Sequence, residues 1–351
     1  MIDFLFSNHL PVKTKFQSFS DCFFDLLYEA EQLNIAVGYV TADSLVELKK
    51  IIEDNAKPKL NLSIGMHYFD GFTKLEYQAA TDLNNFLKDN KLGIVKLTNT
   101  FRYHGKAYSF LNSSGPYAAI LGSNNLSSID EKNRIYEASV LINERSYAKQ
   151  LNDFIMQISN NASVDLASCE ISRFKQHNSL LENHHLVEKV TPQELADCCS
   201  NLTDIKFQIP LKASENHMKS NLNVFFGKGR EDRRGLIKPR HWYEIEIIVP
   251  QEITSKRGYP EANTDKSVFD VITDDGWKFK CKVSGDYSKN FRSEGDLKIL
   301  GKWIKGRLEN AGVLRVGEPV TEETLRKYGR SNFTLIKTRV EGLWYLDFGV
   351  R

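Results

Sequence analysis

His104, Gly105 and Lys106 stand together in the first half of the chain, followed by Gly122-Ser123-Asn124-Asn125 and then by Glu137. Each of these residue types has a place in the chemistry of a phosphodiester. An imidazole can attack phosphorus and form a covalent phosphohistidine. An ammonium two residues along the same strand points to the same face, where it neutralises a non-bridging oxygen as negative charge builds. The Gly122-Ser123 pair lets the backbone approach a phosphate, and the Asn125 amide adds a neutral donor. A carboxylate near the imidazole, here Glu137, would fix its tautomer and steady the imidazolium. No acidic residues are spaced near the motif to hold a catalytic metal, so the expectation is a reaction without cofactor or metal.

Strands must present these side chains. Helical spacing of apolar residues over 16–32, 44–54 and 73–90 alternates with strand-like runs at 33–41, 60–66 and 93–97. Shorter strands follow at 104–111, 117–122 and 137–142, with a closing helix near 146–160. Alternation followed by adjacent short strands predicts an α/β sandwich with a mixed sheet. The motif residues fall on three successive late strands, which places them at one edge of that sheet. From about 161 to 205 the pattern weakens into Asn, Ser, His and Glu, as in Gln176-His177-Asn178-Ser179, and reads as a connecting segment. The paired His184-His185 has no carboxylate or cysteine at ligand spacing and is not read as a metal site.

The second half changes character. Strand-like runs appear at 242–249, 268–273, 277–283, 335–338 and 343–348, with Asp274-Asp275-Gly276 as a hairpin turn between two of them. A helix over 296–310 interrupts the strands, and a further helical turn follows Thr321. This is an all-β pattern with inserted helices, and no acid, base or nucleophile cluster stands out in it. The expected organisation is a nuclease domain over 1–165, a linker over 166–205 and a binding domain over 206–351.

A length of 351 residues favours two domains over one. The net charge of +2 says little about partners, so the distribution of charge matters more than its sum. Residues 219–240 gather Lys219, Lys228, Arg230, Arg233, Arg234, Lys238 and Arg240 against only Glu231 and Asp232, with Phe225, Phe226, Gly227 and Gly229 interleaved. Arginine forks suit both phosphate and the guanine edge. A second candidate, 284–292, offers Asp286, Tyr287, Ser288 and Asn290 for base edges with Lys289 and Arg292 for phosphates. Five cysteines without a CxxC pair, two of them vicinal at 198 and 199, predict free thiols and a cytoplasmic protein. The first residues show no signal-peptide pattern, and no apolar run approaches a membrane span.

The motif resembles that of the phospholipase D superfamily, which runs His-x-Lys, an Asp four residues on, then Gly-Ser-x-Asn. His104, Lys106, Gly122, Ser123 and Asn125 match in order. The Asp is absent from Ala107-Tyr108-Ser109-Phe110-Leu111, and nuclease-type members lacking it keep a Glu after the Asn, as Glu137 does here. The second half, with its basic loop, then DDGWKFKCKVSGDYSKNFRS and LGKWIKGRL, resembles the B3-like DNA-binding domain of restriction endonucleases of the BfiI and NgoFVII/NgoAVII type. The fold class so implied is a phospholipase D-like α/β sandwich followed by a B3-like pseudobarrel. In such proteins two loops grip DNA, an N-arm at about 221–240 here and a C-arm at about 284–292. The N-arm residues implied are Phe226, Lys228, Arg230, Arg233, Arg234 and Arg240; the C-arm residues are Asp286, Tyr287, Ser288, Lys289, Asn290 and Arg292.

The resemblance implies sequence-specific cleavage of double-stranded DNA, a protecting methyltransferase elsewhere and, in some relatives, an accessory ATPase subunit. The chain has no Gly-x-x-x-x-Gly-Lys-Ser/Thr loop, so ATP hydrolysis would belong to that partner. The superfamily reaction uses two histidines, and one His-x-Lys per chain implies a homodimer through the N-terminal domain. Two other readings compete. A phosphodiesterase of the same superfamily acting on another substrate leaves the basic loop without a role. A DNA-binding regulator with an inactive nuclease domain is favoured by the missing Asp alone.

Overall fold

The fold is that of a computed structural model, in which residues 2–9, 12–130, 135–171, 174–175, 180–182, 184–213 and 221–350 are described. Lys219, the 176–179 stretch and the residues 131–134 ahead of the Glu137 element lie outside them. Contacts divide the chain into two compact units, Met1–His177 with Gly229–Pro239, and Asn178–Lys228 with Arg240–Arg351.

The first unit contains β1 (Ile2–Phe6), α1 (Phe19–Leu27), β2 (Gln32–Val37), α2 (Ala42–Asn55), β3 (Lys59–Ile64), α3 (His67–Asp70) and β4 (Phe72–Thr73). It continues through α4 (Lys74–Asp89), β5 (Gly93–Thr98), β6 (Lys106–Asn112), β7 (Gly115–Gly122), β8 (Ala138–Ile142), α5 (Arg145–Asn161), β9 (Ser163–Asp165) and β10 (Phe174–Lys175). Threonines start the helices that follow the parallel strands. Thr41 and Thr73 accept from the third residue of α2 and α4, and Ser44 and Glu76 reach back to close capping boxes. The sheet runs β1-β8-β7-β6-β2-β3-β5-β9, with β2, β3 and β5 parallel and the rest antiparallel. Alternate residues of β6 face opposite layers: Ala107 packs with Ile155 and Ile158 of α5, while Tyr108 and Phe110 meet Phe19 and Phe23 of α1. A polar rung fixes α5, since buried Asn34 donates to Asn152 at 2.8 Å and accepts from Asn61 and Gln32. The expectation of a sheet-edge site is corrected here. β1, unrecognised in the sequence, extends the sheet beyond β8, and β6 pairs with β2, so β6 opens near the sheet's centre.

The second unit adds β11 (Glu188–Lys189), α6 (Pro192–Ser200) and β12 (Leu202–Pro210). The small hairpin β13 (Arg230–Glu231) and β14 (Ile237–Lys238) falls with the first unit. Then come β15 (Ile247–Ile248), α7 (Gln251–Thr254), β16 (Val268–Thr273), β17 (Trp277–Ser284), β18 (Asn290–Ser293), α8 (Lys298–Asn310), α9 (Glu322–Tyr328), β19 (Asn332–Thr338) and β20 (Leu343–Asp347). The sheet follows β12-β19-β20-β16-β17-β18-β15, curled like part of a barrel, with β16 and β20 parallel and β11 added beside β17. The strand expected over 242–249 shrinks to Ile247–Ile248. Side chains take backbone groups here: Lys305 donates from Nζ to the Trp242 carbonyl at 2.5 Å and His241 Nδ1 accepts the Tyr243 N–H at 3.0 Å, while Glu309 holds the side chains, accepting from Trp242 Nε1 and the Tyr243 hydroxyl. Gly301 of α8 is needed there, because a Cβ would lie 1.8 Å from the Tyr243 carbonyl oxygen.

Lys305 is fully buried over the Trp242 ring at 3.8 Å, and burial lowers its pKa to about 7 despite the nearby Glu309 carboxylate. A lysine that is harder to protonate folded than unfolded makes the unfolded chain bind the extra proton between pH 7 and about 10.4. Stability of this unit therefore rises with pH across that window, on account of this group. Denaturant midpoints taken at pH 7 and 10 should climb more for the wild type than for Lys305→Met, and equal slopes would contradict the assignment.

Candidate active site

Five strand ends meet around His104. β2 and β3 finish at Val37 and Ile64, β6 begins at Lys106, β7 finishes at Gly122 and β8 begins at Ala138. Lys106 pairs with Val37 on one side and Gly122 on the other, so its place in the sheet is fixed twice. Crowding here is severe. A Cβ at Gly65 would lie 2.1 Å from the Tyr103 carbonyl, and one at Gly122 would lie 2.2 Å from Ser139 Oγ and 2.4 Å from its Cα. Gly122 is thus required by the approach of β8, a different reason from the phosphate access that the sequence suggested.

His104 is exposed, whereas Lys106 is buried with 6% of its surface accessible. The Lys106 ammonium donates to the His104 carbonyl at 2.8 Å and lies 3.4 and 3.5 Å from the two ring nitrogens. Burial lowers the lysine's hold on its proton, and the Glu137 carboxylate partly restores it. Glu137 therefore acts on Lys106 through charge; no hydrogen bond joins it to His104 among the described residues. Its backbone is pinned by mutual bonds with Ser7, N–H to Oγ at 2.9 Å and carbonyl to N–H at 3.0 Å. Ser123 turns to the backbone of Ala138, accepting its N–H at 2.9 Å and donating to its carbonyl at 3.2 Å. Its hydroxyl holds β8 beside β7 in this conformation. Asn125 accepts the Tyr39 N–H on Oδ1 at 3.3 Å. That bond fixes the amide's sense and leaves Nδ2 as a donor.

Sequence reasoning did not single out Tyr39, Asp70 or Arg102. The Tyr39 ring meets the His104 imidazole at 5.7 Å and 78°, its hydroxyl donates to Asp70 at 2.5 Å, and Arg102 grips the other Asp70 oxygen at 3.1 Å. No spacing signal links positions 39, 70 and 102. A second histidine of this unit, His67, is committed to the fold: Nε2 accepts the Val40 N–H at 3.1 Å, Nδ1 lies 3.1 Å from the Gly71 carbonyl, and the ring stacks on Phe72. Burial keeps it below the ordinary imidazole range and hence neutral.

The two arms differ in how far they are committed to the fold. In the N-arm, Phe226 packs edge-on against Phe225 and Trp242, and Arg240 makes a two-pronged pair with Glu244 at 2.8 and 2.6 Å. Arg234 pairs with Asp232 and Asp25 and lies over the Tyr28 ring, while Lys238 lies over Phe24. Asn55 of α2 bonds both backbone groups of Ile237, at 2.8 and 2.9 Å. Arg233 is exposed in the hairpin turn, Arg230 is exposed on β13, and Lys228 is exposed just before it. The C-arm tip is more open: Tyr287 is 72% exposed, and Asp286 and Lys289 are exposed beside it. Ser288 accepts the Ala262 N–H at 2.8 Å, and Asn290 and Arg292 belong to β18.

No curated protein matches the chain. Among solved structures it is similar to Nuc, a phospholipase D family member from Salmonella typhimurium, at 14% identity over 47% of this chain and 97% of that one, with a TM-score of 0.34. NucT from Helicobacter pylori follows at 12% identity, 47% and 99% coverage and a TM-score of 0.32. A phosphatidylserine synthase from Haemophilus influenzae gives 14% identity, 49% and 41% coverage and a TM-score of 0.35. Two family models match in chain order. The NgoFVII restriction endonuclease N-terminal PLD domain covers residues 17–175, and the NgoFVII C-terminal B3-like DNA-binding domain covers residues 197–339. Matched by both domains in order over most of its length, the chain belongs to the NgoFVII family of restriction endonucleases, a phospholipase D-type nuclease joined to a B3-like DNA-binding domain.

Proposed function

We propose that the protein hydrolyses DNA phosphodiesters without metal, through a phosphohistidine formed on His104, at a site completed by a second copy of the chain. The observation that carries this reading is the exposed His104 imidazole with the buried Lys106 ammonium 3.4 and 3.5 Å from its ring nitrogens. In the first step a ring nitrogen of His104 attacks phosphorus and a P–N bond forms. The P–O bond to the leaving nucleoside breaks, and the partner's His104 supplies that oxygen's proton. In the second step the partner's His104 takes a proton from water. That water attacks phosphorus, the P–N bond breaks, and His104 is restored. Lys106 and the Asn125 amide stabilise the charged oxygens. Glu137 keeps Lys106 protonated.

A second copy is supported by the single His-x-Lys and by the commitment of His67 to the fold. It is supported also by an apolar strip on one sheet face. Ile2 and Phe4 of β1 and Leu121 of β7 are 59%, 55% and 41% exposed, and Phe4 and Leu121 both register with Val140 between them. The B3-like domain directs the nuclease to its duplex sequence, with the C-arm tip making the freer contacts. An accessory ATPase is the remaining partner suggested by resemblance. No described helix is long and apolar enough to cross a membrane.

Three outcomes follow. Plasmid and phage DNA incubated in EDTA should give discrete fragments with wild type and none with His104→Ala, and cleavage abolished by chelation would sink the metal-free mechanism. Loss of the Glu137 charge removes what raises the Lys106 pKa, so Lys106 loses its proton at lower pH. The alkaline limb of kcat/KM should accordingly move to lower pH in Glu137→Gln, and an unmoved limb would count against this role. In anisotropy titrations over a range of salt, Lys289→Ala should reduce the salt slope by about one. Arg234→Ala, whose cation is already paired with two carboxylates, should leave that slope unchanged.

A further inference from the structure

We infer that Tyr39 is a positioning residue for the nuclease: anchored through its phenol to Asp70 and thereby to Arg102, it holds the His104 imidazole and the Asn125 amide in one arrangement. The inference rests on the assignment of His104 as nucleophile. Tyr39 follows β2 at the centre of the sheet and touches both groups at once, the imidazole with its ring and the amide oxygen with its backbone N–H. The ring itself is held from three sides. His67 meets it at 5.5 Å and 79°, the His104 ring at 5.7 Å and 78°, and the hydroxyl is bonded to Asp70 at 2.5 Å.

Asp70 is held in turn. It ends the four-residue α3, and its second oxygen accepts from Arg102 at 3.1 Å, while the guanidinium lies over the Phe69 ring at 5.1 Å. The Tyr39 and Arg102 bonds hold the Asp70 carboxyl below the usual carboxylate range, and the same bond raises the Tyr39 phenol. Across the neutral range the pair stays an anion accepting from a protonated phenol, so the tether does not switch off. Its geometric consequence is specific. Among the described residues His104 makes no hydrogen bond to Glu137, and its ring lies beside the Lys106 ammonium and the Tyr39 ring. Displacing a nucleophile by about 1 Å can cost on the order of a hundredfold in rate. A fixed aromatic wall beside an exposed imidazole prevents that displacement without entering the chemistry.

The test uses the full-length protein and two readouts, steady-state cleavage and the histidine ring signals in a ¹⁵N-histidine NMR spectrum, with His104 assigned by its loss in His104→Ala. Tyr39→Phe keeps the ring and the backbone N–H but removes the tether; Asp70→Ala removes its anchor. Both should lower kcat by roughly tenfold to a hundredfold with KM within about twofold, and both should shift or broaden the His104 signals. Asp70→Asn, which keeps an oxygen for the phenol, should recover most of the loss. Unchanged kcat and unchanged His104 signals in Tyr39→Phe would overturn the inference, as would a fall in kcat with the His104 signals unmoved. Cleavage that survives in His104→Ala would instead refute the nucleophile assignment, while the ring signals would still report whether Tyr39 holds the imidazole.

Discussion

The nuclease unit is organised around one costly requirement, a buried ammonium beside an exposed imidazole. Taking Lys106 out of water weakens its hold on its proton, and a neutral lysine could not stabilise a developing phosphorane. Two features offset that loss. The His104 carbonyl accepts from the ammonium at 2.8 Å, and the Glu137 carboxylate contributes charge from the start of β8. The burial has a chemical return, because a charge screened from water acts more strongly on an oxygen brought next to it. In the proposed reaction the Glu137 charge would thus help keep Lys106 protonated, and the histidine would be steered by packing.

That steering depends on close approach at the strand ends. β8 comes so near β7 that residue 122 must be glycine, and the turn after β3 passes so near Tyr103 that residue 65 must be too. The Ser123 hydroxyl then binds both backbone groups of Ala138, and Ser7 holds those of Glu137 with its hydroxyl and its backbone N–H. Lys106, Gly122, Ser123 and Glu137 are therefore fastened at the backbone, through the sheet or through these serine bonds. A site on this plan gains rate by holding its groups still, which is the condition under which electrostatic stabilisation costs no reorganisation.

How legible this was depends on how far each relation runs along the chain. His104 and Lys106 are two residues apart on a strand entry, so their common face is a property of local geometry and could be read directly. The parallel strands and capped helices were legible for the same reason, since Thr41-x-x-Ser44 and Thr73-x-x-Glu76 announce their own helix starts. Tyr39, Asp70 and Arg102 are joined only by the tertiary fold, and β1 pairs with a strand 132 or more residues away, Phe6 with Ala138. The short strand at 247–248 was overestimated for a related reason. Lys305, some sixty residues downstream, captures the Trp242 carbonyl that a strand would have used, and Glu309 holds the Trp242 and Tyr243 side chains.

The same distinction separates the two arms. Composition brought residues 219–240 forward first as a DNA contact, because cations are what a sequence displays most plainly. In the fold several of them already have partners, Arg234 with two aspartates and Arg240 with Glu244. The C-arm carries fewer cations but has a different asset. Tyr287 and Ser288 both sit at positive φ, +57° and +56°, a left-handed conformation that costs a tyrosine roughly 1–3 kcal/mol and persists only where its surroundings enforce it. The Ser288 bond to Ala262 and the Lys289 carbonyl bond to Val249 supply that enforcement. A loop strained into one shape has already lost the entropy that a mobile loop would lose on binding. Discrimination between base sequences needs fixed donors and acceptors more than it needs charge, and in the proposed DNA complex a C-arm held in this shape would bring such groups to the base edges at less entropic cost than a mobile loop.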